Sequence, residues 1–167
     1  MLHEHFEFRD IWPVEAGKAA EIERIVFPPN EVISADDIKE QVARAPELFL
    51  VAADKKTGEI VGFLTGIATN EGTFRDEFFT DKTLHDPSGE NVMLLSLGVL
   101  PDYRMQGLGK ELVNVYCQRE QARGRKRLAL TCLPNLVEMY GRMGFEDLGI
   151  SVSSWGGETW YEMAKAL

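Results

Sequence analysis

The alternation of apolar and polar residues along the chain predicts a protein built from both helices and strands. Short runs rich in apolar and β-branched residues predict strands, and apolar residues at helical spacing predict helices. The predicted order is one strand, two helices, three strands, a helix, a strand, a helix and two strands. The strands cover residues 6–11, 48–53, 60–69, 92–100, 128–132, 145–153 and 159–163. The helices cover residues 14–26, a segment that begins after Ser34, and residues 108–123 and 134–142.

Local signals define the ends of the first two helices. The run Phe27-Pro28-Pro29 ends the first helix, because two successive prolines cannot continue it. Ser34 can cap the second helix, and Asp37 three residues later completes a capping-box pattern. These signals predict that the first helix stops at Phe27 and that the second begins after Ser34.

Two later segments carry turn and loop signals. Gly156-Gly157 predicts a two-residue turn that joins the last two strands as a hairpin. The stretch 70–90 is long, polar and acidic, which predicts a lid or a binding loop. Phe74 and Phe78 are four residues apart and indicate a short helix inside it. With Phe79 these side chains could wall an apolar pocket, and ordinary core packing is the alternative.

Composition and charge limit the classes of function. The chain has 167 residues, which fits a single domain over residues 1–167. Its formal net charge is −9. An acidic surface argues against nucleic acid and anionic membranes as partners, because both require clustered Lys and Arg. It suits a cationic substrate such as an amine, although a solvated acidic surface is the commoner reason for such a charge.

Cysteine usage and the absence of targeting signals predict a cytoplasmic protein. Cys117 and Cys132 fall in different predicted elements and lack metal-ligand spacing, so we expect a reduced chain without a bound metal. The first eight residues lack a basic region followed by an apolar run, so no signal peptide is expected. The longest apolar stretch, near residues 92–100, is too short to span a bilayer.

The most informative segment is the junction between the predicted strand 92–100 and the helix 108–123. Arg104, Gly107 and Gly109 follow an R-x-x-G-x-G spacing at the start of the helix. Free backbone N–H groups converge at such a junction, the helix dipole favours negative charge, and glycines allow a ligand to approach closely. Together these features predict a cradle for a pyrophosphate. The alternative is a strand–helix turn with two convenient glycines.

The residues around this segment limit which ligands it could bind. The segment lacks the Ser or Thr of a Walker loop and the G-x-G-x-x-G of a Rossmann fingerprint. Gly98 lies inside the preceding strand, where glycine commonly marks a bulge or a close approach of another backbone. A bulged strand beside a pyrophosphate cradle suits coenzyme A, because the pantetheine amides can pair with the strand as an extra strand does.

At this point the chain resembles the GNAT superfamily of N-acetyltransferases over nearly its whole length. The resemblance implies a mixed, mostly antiparallel, twisted α/β sheet of about seven strands with about four flanking helices and a bulged central strand. It implies acetyl-CoA as the co-substrate. It also implies that coenzyme A contacts the bulged strand and the turn, which here are Leu97, Gly98, Val99, Arg104, Met105, Gln106, Gly107, Leu108, Gly109 and Lys110.

Within the superfamily the chain is similar to the arylalkylamine, serotonin-type N-acetyltransferases. The segments that carry this similarity include Phe27–Glu31, Ala45–Phe49, Leu84–Pro87 and Leu136–Tyr140. The family carries one or two histidines on the central strand that are implicated in removing the amine proton. The matching positions here are Met93 and Leu95, so the family's proton route is absent and its aromatic substrate cannot simply be transferred.

The resemblance leads to a set of expected roles. Backbone N–H groups near Gly98 are the candidate oxyanion donors, and Tyr140 is the candidate acid for the departing thiolate, with core packing as its alternative. His85 is the candidate base, because histidine titrates near neutral pH, although a tethering role in the loop is equally compatible. A water chain ending on Ser96 could also remove the proton. Phe27 and Pro28 are expected to line the acceptor pocket.

Three functions remain open from the sequence. The first is an enzyme that transfers an acetyl group from acetyl-CoA to a small primary amine by direct attack. The second is a peptide or protein N-acetyltransferase, which needs an open groove where residues 70–90 lie. The third is a coenzyme-A-binding module with little catalysis, suggested by the missing histidines. A homodimer is compatible with each of them.

Overall fold

The structure, a computed structural model, describes all 167 residues and consists of a sheet with helices on both faces. Seven strands and six helices alternate with short 3₁₀ turns. In chain order they are α1 Leu2–His5, β1 Phe6–Asp10, α2 Ala16–Val26, α3 Ala35–Arg44, β2 Phe49–Asp54, β3 Ile60–Thr69, α4 Glu77–Thr80, β4 Asn91–Val99, α5 Leu108–Ala122, β5 Arg127–Cys132, α6 Val137–Arg142, β6 Glu146–Ile150 and β7 Tyr161–Ala166.

All seven strands belong to one mixed sheet. The strand order is β1-β2-β3-β4-β5-β7-β6, and every neighbouring pair is antiparallel except β4 and β5. The parallel pair is joined by α5, as a crossover helix is needed to join parallel strands. The fold class expected from the sequence is therefore confirmed.

The central strand β4 contains a β-bulge at Leu95. Its register against β3 shifts between the pairs Thr65–Ser96 and Gly66–Leu94, which leaves Leu95 without an opposite residue. A bulge turns two successive side chains to the same face of a sheet. The sequence placed the bulge at Gly98, but Gly98 is regularly paired with Phe63, so that position was wrong by three residues.

Two apolar cores cover the two faces of the sheet. One face packs against α5 and α6, with Leu94 of β4 in its core. The other face packs against α2 and α3, with Met93 and Leu95 in its core. The helix α2 is amphipathic and turns Ala19, Ala20, Ile22 and Glu23 toward the sheet. A carboxyl group thus lies in an otherwise apolar interface.

The signals around the first two helices are confirmed in part. The helix α3 begins after Ser34, whose Oγ accepts a hydrogen bond from the Asp37 amide at 3.1 Å. The return hydrogen bond of a full capping box is absent. The helix α2 ends at Val26, directly before the Phe27-Pro28-Pro29 run.

The hairpin expected at the end of the chain is corrected, whereas the short helix expected in residues 70–90 is found. The strands β6 and β7 are not joined by a two-residue turn, because β6 ends at Ile150 and β7 begins at Tyr161. The intervening segment packs onto the body of the protein through a 3₁₀ turn at Trp155–Gly157. The short helix expected inside residues 70–90 is present as α4, Phe74 and Phe78 are fully buried, and Phe79 lines a cavity, as a binding segment would.

Candidate active site

A gap opens in the centre of the sheet where β4 and β5 separate. The two strands pair only through Asn91–Arg127, Val92–Leu128 and Met93–Ala129. Beyond Met93 the backbone N–H and C=O groups of β4 no longer form hydrogen bonds with β5. Such an edge can accept the amide groups of an extended ligand as an added strand.

A cavity of about 130 Å³ occupies this gap. Its walls come from both faces of the sheet, since Leu94 and Tyr140 belong to the α5 side whereas Glu23 and Leu95 belong to the α2 side. The cavity therefore connects the two faces. Its lining is Glu23, Phe27, Glu31, Ile33, Leu64, Phe79, Leu94, Leu95, Ser96, Leu97, Val113, Leu130, Thr131, Cys132, Leu133, Leu136, Tyr140, Trp155 and Trp160.

The turn before α5 presents a row of free backbone amides. None of the N–H groups from Met105 to Lys110 donates to an acceptor within the protein. Met105 and Gly107 both have positive φ, 64° and 84°, which curves the backbone into a concave arrangement of amides. A left-handed conformation in a non-glycine residue costs about 1–3 kcal/mol. The turn thus holds strain in the shape that an anion requires.

A basic cleft adjoins this amide turn. Lys110 and Asn114 line it from α5, and Arg142 and Lys165 line it from α6 and β7. Neither lysine forms an ion pair with a carboxylate, although the chain carries a net charge of −9. Val113 lines both the cleft and the central cavity. The cleft, the amide turn and the cavity together form a path for a long anionic ligand.

Glu23 and Ser96 form a buried pair on the α2 side of the cavity. Glu23 is only 1% exposed, and its carboxylate accepts hydrogen bonds from Ser96 Oγ at 2.5 Å and from the Ile33 amide at 3.0 Å. Burial raises the pKa of Glu23, and these two hydrogen bonds and the charge of Lys82 oppose that rise. A carboxylate with a raised pKa is suited to accept a proton near neutral pH.

The bulge at Leu95 explains why Ser96 reaches Glu23. Leu94 and Leu97 pack toward α5, whereas Leu95 and Ser96 both face α2. Without the bulge, strict alternation would place two successive side chains on opposite faces of the sheet. The irregular register therefore positions the serine hydroxyl beside the buried carboxylate.

Tyr140 lines the cavity from the α5 side. Its ring packs edge-on against Phe145 at 5.8 Å, and its hydroxyl group has no hydrogen-bond partner in the protein. Burial, followed by the nearby Cys132, raises the pKa of Tyr140 above its ordinary value. The phenol therefore stays protonated throughout the neutral range. Burial likewise raises the pKa of Cys132 to about 11, so this thiol is not a nucleophile at neutral pH.

The structure brings together several of the residues expected from the sequence. Phe27, Ser96 and Leu97 line the cavity. Gly98 lies on the same strand but faces Phe27 and the α2 side rather than the gap. The carbonyl group of Val99 accepts a hydrogen bond from Arg104 Nε at 3.2 Å, so Arg104 braces the turn.

Pro28 does not line the cavity, in contrast to the expectation from the sequence. Its carbonyl group accepts hydrogen bonds from the Glu31 and Val32 amides, so it forms the turn after α2. That turn brings Glu31 into the wall of the cavity. This part of the cavity is therefore lined by Glu31 and not by Pro28.

His85 lies outside the cavity and is fully engaged elsewhere. Its Nδ1 accepts a hydrogen bond from the Ala68 amide at 3.1 Å, and its Nε2 lies 2.8 Å from a Glu47 carboxylate oxygen. Because Nδ1 accepts a hydrogen bond, Nε2 carries the ring proton and donates a hydrogen bond to Glu47. Only 4% of the side chain is exposed. The geometry supports the tethering alternative for His85 rather than the role of a base.

The sequence analysis did not identify Glu23, although a signal was present. Ala19, Ile22, Glu23 and Val26 follow the i, i+3, i+4, i+7 spacing of an inward helix face. A carboxylate at an apolar position is costly to bury unless it has a function or a partner. That combination could have indicated the residue. The partner, Ser96, depends on the bulge and could not be inferred from spacing.

Two segments narrow the α2 side of the cavity. Trp155 of the 151–160 segment stacks on Phe79 at 4.5 Å and donates from Nε1 to the Glu31 carbonyl at 2.8 Å. A Cβ at Gly156 would lie 2.4 Å from the Asn30 carbonyl oxygen, so only glycine permits this approach. Residues 70–90 and 151–160 thus cover one end of the cavity together.

The comparison with known families identifies the class of protein to which this fold and site belong. The model of the acetyltransferase (GNAT) family matches residues 7–145, and the chain belongs to that family. It is therefore an acetyl-CoA-dependent N-acetyltransferase. None of its helices combines the length and the apolar character needed to cross a bilayer. No group of three or more His, Cys, Asp or Glu side chains is placed to hold a metal ion.

Individual relatives agree with this assignment. The chain is 29% identical to the serotonin N-acetyltransferase of Mesocricetus auratus over 96% of its own length and 77% of that protein. It is 31% identical to the serotonin N-acetyltransferase of Macaca mulatta, over 86% of its own length and 70% of that protein.

Solved structures share the fold at low identity. The loading GNATL domain of CurA from Lyngbya majuscula superposes with a TM-score of 0.80 at 16% identity, covering 97% of this chain and 98% of that one. The PaiA N-acetyltransferase of Thermoplasma acidophilum, solved with coenzyme A, superposes with a TM-score of 0.71 at 15% identity, covering 97% of this chain and 99% of that one.

Proposed function

We propose that the protein transfers the acetyl group of acetyl-CoA to a small primary amine by direct attack, without an acyl-enzyme. The observation that carries this proposal is the cavity that crosses the sheet between β4 and β5. Glu23 lines it from one face, and Tyr140 lines it from the other. An amine and a thioester can therefore meet in the gap from opposite sides.

The cofactor side follows from the free amides and the basic cleft. The N–H groups from Met105 to Lys110 bind the pyrophosphate of coenzyme A, and the pantetheine arm lies along the open edge of β4. Lys110 and Lys165 in the adjoining cleft bind the remaining phosphate of the cofactor, because they are cations without an internal counter-charge.

The acceptor side follows from Glu23 and Ser96. Glu23 takes the proton from the amine, so that a neutral nitrogen attacks the thioester carbonyl, and Ser96 orients the carboxylate. The C–S bond breaks as the tetrahedral intermediate collapses, and the departing thiolate takes the proton of the Tyr140 hydroxyl. The second proton of the attacking nitrogen passes to the Tyr140 oxygen, which leaves a neutral amide and restores the phenol. Unpaired N–H groups on β4 beyond Met93 are the donors available to the oxyanion.

The covered end of the cavity counts against a peptide acceptor. Phe79 and Trp155 stack over the place where a peptide groove would have to pass. The hydroxyl of Ser153 also donates to Asp76 at 2.5 Å, which joins the two covering segments a second time. A small amine needs only the room within the cavity, whereas a peptide chain needs both ends open.

The experiment is a coenzyme A release assay with acetyl-CoA and two acceptor panels, primary amines and peptides with free N-termini. The proposal predicts turnover of amines and a large loss in Glu23→Gln. The matched control is Glu21→Gln, because Glu21 lies on the same helix but is half-exposed and faces away from the sheet. Turnover of peptides alone, or equal loss in both variants, would overturn the proposal.

A further inference from the structure

The rim of the acceptor cavity holds a second, separate pair of carboxyl groups. Glu31 lines the cavity, and its carboxyl group lies within hydrogen-bonding reach of that of Glu158. Burial, then the hydrogen bond and charge of Glu158, raise the pKa of Glu31 to about 7. Two carboxyls at this distance repel each other when both are ionised.

The protein supplies no cation to this pair. No Lys or Arg lies close enough to Glu31 to lower its pKa, and Glu158 is the charged neighbour that raises it. The other polar contact of Glu158 is with the Asn30 amide at 3.5 Å, which is neutral. The chain therefore leaves negative charge uncompensated at the edge of a cavity that opens to a ligand.

The surroundings of the pair favour an organic cation. Trp155 and Trp160 line the same cavity, and Trp160 Nε1 donates to the backbone carbonyl of Trp155 at 2.7 Å, which ties the Trp160 side chain to the backbone of Trp155. Indole faces attract ammonium groups by the cation–π interaction. A carboxyl pair beside two indoles combines charge and aromatic contact for one ammonium group.

The cavity thus has two acidic positions with apolar walls between them. Glu23 lies deep, beside Ser96, and Glu31 lies at the rim with Glu158. Fifteen of the nineteen lining residues are hydrophobic, so methylene groups are favoured between the two acidic positions. The unpartnered hydroxyl of Tyr140 faces the same cavity and marks it as the place where a ligand is expected.

We propose that the acceptor is an aliphatic diamine, with one amine at Glu23 for acetylation and the second ammonium group held by Glu31 and Glu158 on the side of the cavity that Trp155 and Trp160 line. This inference rests on the proposed function and adds the substrate class to it. Glu31 and Glu158 are specificity residues in this scheme, since they contact the amine that does not react. An aromatic monoamine would fill the apolar walls but leave the rim carboxyls without a cation.

The test compares 1,4-diaminobutane with butylamine, because the two differ only by the second amine. We expect kcat/KM at pH 8 to favour the diamine at least about tenfold, mainly through KM. Ionisation of Glu31 adds a second negative charge to the pair above about pH 7. The preference should therefore grow from pH 6 to pH 8, where both amines of the diamine remain protonated in solution.

The variants Glu31→Gln and Glu158→Gln separate this role from a structural one. Each should raise KM for the diamine about tenfold more than KM for butylamine, and each should remove the change in preference between pH 6 and pH 8. The control is Glu138→Gln, since Glu138 lies exposed on α6 away from the rim. The affinity of each variant for coenzyme A, measured by calorimetry, verifies that it is folded.

The outcomes distinguish the two proposals. Turnover of butylamine and phenethylamine with no preference for the diamine overturns this inference and leaves the amine acetyltransferase intact. A diamine preference that survives in Glu31→Gln and Glu158→Gln also overturns it. Failure to acetylate any amine, with coenzyme A still bound, overturns the proposed function itself.

Discussion

Replacing Glu23 by Gln removes the proposed proton acceptor while keeping the size of the side chain and an oxygen that can accept from the Ile33 amide. The carboxylate is 1% exposed and its partner Ser96 lies 2.5 Å away, so water cannot easily take its place. An alkylamine with a pKa near 10.4 is neutral in only about one molecule in 2,500 at pH 7. The enzyme must therefore remove a proton before attack.

The magnitude follows from the loss of general-base catalysis. We expect kcat/KM of Glu23→Gln to fall about 10²–10³-fold at pH 7, which corresponds to about 3–4 kcal/mol of transition-state stabilisation. The loss should shrink as pH rises, because solution then supplies the neutral amine about tenfold more per pH unit. Near pH 10 the variant should come within about tenfold of the wild type.

The assay is the pH profile of kcat/KM from pH 6 to pH 10 for both proteins. Burial raises the pKa of Glu23, so the wild-type rate should decline as pH falls through that raised value, whereas the variant should rise steadily up to the pKa of the amine. Parallel profiles with a constant ratio would refute the reasoning, because they would show that Glu23 does not handle the proton.

Four further outcomes are expected. Because folding raises the pKa of Glu23, the stability of the wild type falls as the pH rises above the ordinary pKa of a glutamate. The variant Glu23→Gln lacks this loss, so its melting temperature minus that of the wild type should increase from pH 5 to pH 8. An unchanged difference would contradict this. Tyr140→Phe should lower kcat about 10- to 100-fold without changing the Kd for coenzyme A, as measured by turnover and calorimetry. Gly107→Ala should weaken coenzyme A binding at least about fivefold because φ is 84°, whereas Gly124→Ala, with φ of 85° at the far end of α5, should not. Lys165→Met should weaken binding of coenzyme A about 5- to 10-fold more than binding of dephospho-coenzyme A; equal losses would place the phosphate elsewhere.

The sequence predicted the elements of this fold well because their signals are local. Apolar runs and helix caps depend on neighbours within a few residues, and β3 spans 60–69 in both the prediction and the structure. The hairpin at Gly156-Gly157 was wrong because its glycines serve a long-range contact. Gly156 lies against Asn30, a partner 126 residues away in sequence.

The proposed cofactor turn could be recognised from the sequence, whereas the proposed catalytic pair could not, because only the turn is a local pattern. The R-x-x-G-x-G segment is continuous, so its spacing alone indicates free amides at the start of α5. Glu23 and Ser96 are 73 residues apart and meet only because a bulge at Leu95 rotates the strand. No local pattern encodes that register shift, and His85 appeared as the base only because its contacts with Ala68 and Glu47 were unknown.

The most direct test of the account follows the backbone amides of residues 105–110 by ¹H–¹⁵N correlation spectra during titration with coenzyme A. These N–H groups have no acceptor in the free protein, so a bound pyrophosphate should shift their resonances and slow their hydrogen exchange. The amides of the corresponding turn at the far end of α5, around Gly124, should remain unchanged. Saturation with coenzyme A that left the resonances of residues 105–110 in place would contradict the central claim.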